Sequence, residues 1–325
     1  MYQMMSLPLY SGTFQEYDSW RDLGQELERL GCDGIEGVWG GEDLPKDLPA
    51  ELILGYHLIF YPDWLDFYRD DRAALKQKFG SLEAVASFYG GLGPDTLLEQ
   101  YRADLRRAVN LGARYVVFHV SDVSLEEGYT YRWLPTNQEV IDAAVEVVNL
   151  ILGEERWPFE FLVENQWWPG FTFTEPEETA RLLEGIRFAG KGILLDTGHL
   201  MNACTELKTE AEGADYIRSM LNRHGSLAKW VRGVHLHQSL SGAYVKAHTG
   251  SLPAGLPEDY MERFGVSYQH ILQIDQHRPW TDPAILPVLE QIEPRYLTHE
   301  LSSRGRMARA EAVSIQTRLL RQGGR

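Results

Sequence analysis

Strand-like apolar segments and amphipathic helical segments alternate along nearly the whole chain, and this constrains the fold more than any other feature. Eight strand candidates occur in order: QMMSLPLYS, CDGIEGVW, ELILGYHLIF, RYVVFHVSD, FEFLVEN, GILLDTG, VRGVHLHQ and RYLTHEL. Helical patterns stand between most of them, among them FQEYDSWRDLGQELERLG with Gly31 as a stop, and PDTLLEQYRADLRRAVNLG with Asp95 after Pro94 at its start. NQEVIDAAVEVVNLILGEE, PEETARLLEGIRFAG, DPAILPVLEQIE and RMARAEAVSIQTRLL follow. The unit between the second and third strands is the weakest, since GEDLPKDLPAE offers little helix. Alternation implies parallel strands with right-handed crossovers, and eight repeats imply an α/β fold, a closed (β/α)8 TIM barrel. A doubly wound open sheet would place a glycine-rich phosphate loop after the first strand, and SLPLYSGTF is a poor match.

The pattern fits one domain over 1–325 with two insertions. Residues 61–93, after the third strand, read as helical in DWLDFYRDDRAALKQKFG and SLEAVASFY; residues 239–280, after the seventh, read as a long irregular loop. The terminal RQGGR reads as a loose tail.

Metal-ligand side chains stand at or just past the strand ends: His57, His119, Glu164, Asp196, His199, His235 and Glu300. In a barrel these ends share one rim, where active sites of the fold sit. Imidazoles and carboxylates converging from separate strands are what a divalent metal needs. The segment DTGH adds His199 three residues after Asp196, and QIDQHRPW adds Asp275 and His277, two residues apart and on one face if extended. The bland alternative for Glu164, Asp196 and Glu300 is a buried carboxylate paired with Arg or Lys. For His57 and His119 it is a hydrogen-bonded structural histidine or a substrate contact. His237 is read as facing away from His235 and as supporting or structural, and His248, His270 and His299 have no matching position.

The net charge of −16 argues against a broad basic face for nucleic acid. Two cysteines, Cys32 and Cys204, point to a reducing compartment, and MYQMMSLPLY lacks the features of a signal peptide. No window approaches the ~18 apolar residues of a membrane span. A cytoplasmic enzyme is expected, with no membrane partner and a homo-oligomer left open.

The order and contexts of these residues resemble the xylose isomerase-like barrel superfamily, which holds sugar isomerases and epimerases as well as endonuclease IV-type abasic-site nucleases. That resemblance implies a metal held by Glu164, Asp196, His235 and Glu300. The nuclease pattern adds His57, His119, His199, Asp275 and His277, implying one to three ions. Mn2+, Mg2+ or Co2+ suits the oxygen-rich chemistry, and the many imidazoles suit Zn2+. The sequence departs from the nuclease pattern in HLHQS, in HVSD and in a longer seventh loop. Asp63, Asp66, Asp70 and Asp71 would repel a duplex backbone.

Two functions of different class follow. The first is a metal-dependent isomerase or epimerase of a sugar or sugar-like polyol, acting through an enediolate. Glu164 and Glu300 would move the proton on opposite faces, and His199 or His235 would polarise an oxygen. Glu36, Trp39, Trp167, Trp168 and Trp280 are its substrate-binding candidates, each indole with ordinary packing as the alternative. The second is a zinc phosphoester hydrolase with a trinuclear site.

Overall fold

The computed structural model describes residues 1–323. Eight parallel strands close into one barrel in chain order: β1 (Tyr2–Leu9), β2 (Gly34–Trp39), β3 (Ile53–His57), β4 (Tyr115–His119), β5 (Glu160–Glu164), β6 (Lys191–Asp196), β7 (Val231–His235) and β8 (Tyr296–His299). The chain is therefore a single-domain TIM barrel. Helices follow the strands, except between β2 and β3, where only a short turn of 3-10 helix at Ala50–Leu52 forms. The Asn137–Leu152 helix shows how local sequence sets an element. Thr136 and Glu139 form a reciprocal capping box, and Val140, Ile141, Ala144, Val147, Val148 and Ile151 bury one stripe. Gly31 ends the Trp20–Leu30 helix in the left-handed conformation (φ 81°), as its sequence position requires. RQGGR remains helical through Gln322, and its last two residues lie outside the described part of the chain.

The barrel interior is filled in steps of two residues, as a pleated strand demands. Met4, Leu54, Tyr115, Val117, Leu162, Leu194 and Tyr296 pack its lower half. Gly55 makes room there, because a Cβ at that position would lie 2.3 Å from the Tyr115 ring. Two residues beyond Val117, Leu162 and Leu194 come His119, Glu164 and Asp196, at the rim. Register sets neighbours side by side: His119 is opposite Glu164, and Asp196 is opposite His235.

Both insertions stand over that rim. The first folds into helices Leu65–Tyr68, Arg72–Phe79 and Leu82–Tyr89. The segment expected to be an irregular loop contains two helices, Gly242–His248 and Tyr260–Ile274. The second starts at Asp259, whose carboxylate accepts from the Glu262 N–H, a cap that the periodicity of YMERFGVSYQHILQI completes. The insertions touch: Phe79 stacks on Tyr260 at 3.8 Å, Phe88 meets Phe264 at 5.4 Å, and Arg263 donates to the Lys78 carbonyl. Among the described residues, no helix is long and apolar enough to cross a membrane.

The first insertion is pinned by buried charge. Lys78 Nζ lies 2.8 Å from Asp63 Oδ1 and 2.7 Å from Asp66 Oδ2, while Asp122 Oδ1 accepts from the backbone N–H of Trp64 and Leu65. Asp63, expected to repel nucleic acid at the surface, is instead 1% exposed and neutralised by Lys78. Removing the ammonium leaves Asp63 without its cation, so Lys78→Met lowers unfolding free energy by about 3 kcal/mol in denaturant titrations. Burial, then the Asp63 charge, pushes the Asp122 carboxyl up to about 8 from 3.8. A carboxyl raised on folding contributes stability below its unfolded value and loses it as pH climbs toward the folded one. Stability of the parent therefore falls between pH 4 and 8 relative to Asp122→Asn, which keeps the acceptor oxygen without the charge; parallel pH-stability curves would refute this.

Candidate metal centre

The rim ligands converge on a floor of three adjoining donor groups. His57, His119 and Glu164 form one; Glu164, Asp196, His235 and Glu300 form the second; His199, His237, Asp275 and His277 form the third. Glu164 belongs to two of them and is fully buried. Its Oε2 lies 3.3 Å from His57 Nε2 and 3.2 Å from His119 Nε2, and its Oε1 lies 3.1 Å from His199 Nδ1 and 3.5 Å from His235 Nδ1. Metal bonds of about 2.1 Å at tetrahedral angles set donor atoms roughly 3.4 Å apart, the spacing found here.

Backbone carbonyls orient three of the imidazoles. His57 Nδ1 is 2.8 Å from the Leu58 oxygen, His199 Nδ1 is 3.0 Å from the Asn165 oxygen, and His277 Nδ1 is 3.0 Å from the Glu300 oxygen. With Nδ1–H donating to each carbonyl, every Nε2 presents a lone pair to the floor. His57 and His119 then aim Nε2 atoms at each other across 3.0 Å, beside a carboxylate oxygen. Either one Nε2 carries a proton shared with the other ring, or a cation sits among the three atoms. Both Glu164 oxygens, His235 Nδ1 and Glu300 Oε2 are buried with no hydrogen-bond partner among the described residues. A bound ion supplies what they lack.

Charge on the floor is mutually compensating. Burial opposes ionisation of Glu164, yet His119 and His235 hold its carboxyl well below the usual range. Burial likewise opposes protonation of His235, but Glu300 and Glu36 raise it well above its ordinary value. Burial lowers His119 against the pull of the Glu164 charge. Glu300 is held near 2, against its burial, chiefly by His235 and His277. The site thus keeps its carboxylates ionised beside imidazoles that balance them.

The structure brings all nine ligand candidates to this floor. Asp275 and His277 meet through Oδ2 and Nε2 at 2.6 Å, and His199 Nε2 lies 3.3 Å from the same oxygen. The pair is not extended, since His277 takes a left-handed φ of 46°, an unfavourable conformation for a residue with a Cβ.

The direction of His237 is a correction, while its supporting role is the one expected. Residues two apart on a strand face the same way, so HLH carries His235 and His237 to one side. The ring of His237 lies parallel to that of His277 at 4.0 Å. Stacked rings cannot both aim in-plane lone pairs at one ion, and His237 Nε2 instead sits 2.8 Å from Asp196 Oδ2. It supports a ligand. The HLH spacing could have revealed this.

Three substrate candidates also move. Glu36 is buried under the floor, accepting from Tyr115 and Thr298 hydroxyls at 2.6 and 2.9 Å, with Oε1 2.8 Å from His235 Nε2. Its place is to orient His235 and turn Nδ1 toward Glu300, 2.8 Å away. Trp280 is fully buried and donates to the His237 carbonyl. Trp39 lies under the Arg107 guanidinium and bonds the Glu42 carbonyl. Neither lines the cavity above the floor, because each indole is engaged in holding backbone or packing. Trp167 and Trp168 do line it.

That cavity measures about 720 Å³. His57, His119, His199, Asp275, His277 and Glu300 form its base, while Glu164, Asp196 and His235 lie beneath.

Gly198 gives the floor a sharp test. A Cβ there would lie 2.0 Å from the His237 ring. Gly198→Ala therefore displaces His237 from Asp196 and weakens metal retention about 10- to 100-fold, read as ions per chain by mass spectrometry after dialysis against a graded chelator. Unchanged retention would contradict the support assigned to His237. Stripping ions from the parent should lower its melting temperature, because ligand binding to the folded state alone stabilises it.

A family model described as xylose isomerase-like TIM barrel matches residues 25–292. No curated protein matches the chain. Endonuclease IV from Thermus thermophilus superposes with a TM-score of 0.54 at 15% identity, covering 99% of this chain and 100% of that one. A D-tagatose 3-epimerase-like protein superposes at 0.52 with 15% identity, covering 100% and 98%. Mannonate dehydratase from Streptococcus suis serotype2 superposes at 0.53 with 13% identity, covering 99% and 93%. These likenesses are of fold, and the family rests on the match over 25–292: the chain belongs to the xylose isomerase-like TIM barrel family.

Proposed function

We propose that the protein is a divalent-metal-dependent isomerase or epimerase of a sugar or sugar-like polyol, working by proton transfer beside a carbonyl. One observation carries this reading. A carboxylate with 20% side-chain exposure, Glu300, faces an aromatic-walled chamber of about 720 Å³ directly over an oxygen-rich ligand group.

Glu164, Asp196, His235 and Glu300 would hold the ion, with Mn2+, Mg2+ or Co2+ suiting three carboxylates and one imidazole. When bound, the ion supplies Lewis-acid polarisation of adjacent carbonyl and hydroxyl oxygens. Glu300, partly exposed to the chamber, would hold the ion through Oε2 and use its other oxygen to take the proton from the neighbouring carbon and return it. Glu164 was expected to share that task, but its complete burial beneath the cavity suits a ligand rather than a proton carrier. His199 lines the cavity and, where no ion occupies the third donor group, would carry a proton to polarise a substrate oxygen or, in epimerisation, to deliver on the second face. The two insertions stand over the base, where they would limit the access of water to the carbanion-like state.

The second reading, a phosphoester hydrolase, draws support from the imidazole-rich groups flanking the central one, an arrangement suited to three zinc ions. Against it stand the net charge of −16 and the roof. Arg309 is the one Arg or Lys among the described cavity-lining residues, and Glu16 already pairs with it. Duplex binding commonly neutralises several phosphates. A small-molecule substrate is the better match.

Incubation with a ketose and aldose panel in D2O tests the proposal. Metal-loaded protein should place deuterium on the carbon beside the carbonyl, and Glu300→Gln should slow this at least ~100-fold. An abasic-site duplex should remain uncut by the zinc-loaded protein. Efficient cleavage that vanishes in Glu164→Gln would replace the proposal with the hydrolase reading.

A further inference from the structure

The strands share the base of the chamber unequally. Every ligand candidate comes from β3 through β8 or from the segments that follow them. Residues two apart on a strand face one way, so β1 turns Met4, Ser6 and Pro8 inward, and β2 turns Glu36 and Val38. Glu36 is taken up beneath the floor by Tyr115, Thr298 and His235. Ser6, Pro8 and Val38 remain, and all three line the cavity. Their side chains are short, and they leave space on the flank of the base that carries no donor.

Register places Ser6 beside the proton carrier. Met4 pairs with Thr298, and two residues further along both strands come Ser6 and Glu300, on the same inward face. Since β8 lies between β7 and β1, Glu300 has His235 on one side and Ser6 on the other. Ser6 is partly exposed, and its hydroxyl makes no hydrogen bond among the described residues. A hydroxyl both donates and accepts, so it can meet a substrate hydroxyl in either sense. In a closed barrel of eight strands, β1 and β2 face β5 and β6. The loop after β5 brings Trp167 and Trp168 to the cavity wall, with the Trp167 ring 5.2 Å from that of His199. A molecule lying across Glu300 therefore meets indoles on one side and a hydroxyl on the other. A sugar chain offers both a C–H face and a hydroxyl edge, whereas a simple ketone offers only the first.

We propose that Ser6 is a specificity-determining residue: its hydroxyl holds the substrate hydroxyl on the first carbon outside the carbonyl and hydroxyl pair bound at the ion. The substrate is then a ketose or aldose long enough to carry a configured hydroxyl there, and the configuration at that carbon is read. This deepens the isomerase or epimerase reading and rests on it. Calorimetric titration of Mn2+-loaded protein would compare D-fructose, D-psicose, D-tagatose and D-sorbose, which differ only in configuration at the third and fourth carbons. The parent should separate two of them that differ at a single carbon by about ten-fold, the worth of one hydrogen bond. Ser6→Ala should bring that ratio below about two-fold, with ions per chain unchanged by mass spectrometry. No such pair in the parent, or a ratio that survives Ser6→Ala, would overturn the assignment. So would loss of metal from the variant, because Ser6 would then support the floor instead of reading the substrate. A parent that binds none of the four removes the assignment and the sugar reading together. A ratio lost in Ser6→Ala while the parent places no deuterium beside the carbonyl keeps Ser6 as a sugar contact and removes the proton-transfer reading. Deuterium placed by the parent, with a ratio that Ser6→Ala leaves intact, does the reverse.

Discussion

The site depends on a carboxylate with no exposure to water. Glu164 sits at the end of β5 with imidazole nitrogens of His57, His119, His199 and His235 within 3.5 Å of its two oxygens. A buried unpaired carboxylate would be prohibitively costly, so positive charge must gather around it. Protons on the histidines or a divalent ion can provide that charge, and binding the ion displaces protons from the imidazoles that hold it. Strand register, inward stepping and the carbonyl anchors of His57, His199 and His277 all serve to hold donors around this one group.

Much of this was legible because the barrel enforces a period of two. Once Tyr115, Val117 and His119 are seen as one inward series, the rim ligands fall out of the strands, and Glu164, Asp196 and His235 follow by the same step. His237 obeys the identical rule, against the expectation that it faces away. Glu36 was harder. A strand-end glutamate can meet a substrate or a histidine, and the choice turns on Tyr115 and Thr298, which are distant in sequence and supply the hydroxyls that hold it down.

The indoles and the insertions were less legible for a different reason. Trp167, Trp168, Trp39 and Trp280 all follow strand ends or sit in mouth loops, yet two face the cavity and two hold backbone. Direction within a loop depends on tertiary contacts, not on periodicity. The helix at Tyr260–Ile274 was hidden for a related reason: Gly250, Pro253, Gly255 and Pro257 precede it and make the whole segment look irregular. Its buried face is shared between the other insertion, at Tyr260, and the segments after β4 and β5, at His270 and Ile274.

That mutual dependence sets an order of assembly. The contact between Lys78 and Arg263 spans 185 positions, and the stacking of Phe79 on Tyr260 is similarly remote. Such pairings carry a large loop-closure entropy and become favourable only after the intervening strands have closed the barrel. The roof should therefore be among the last parts to consolidate and, by the same energetics, among the first to yield in native-state hydrogen exchange. Opening it disrupts a seam between two insertions while the strands stay intact. The chamber can thus admit a bulky guest without loosening the framework that holds its ligands.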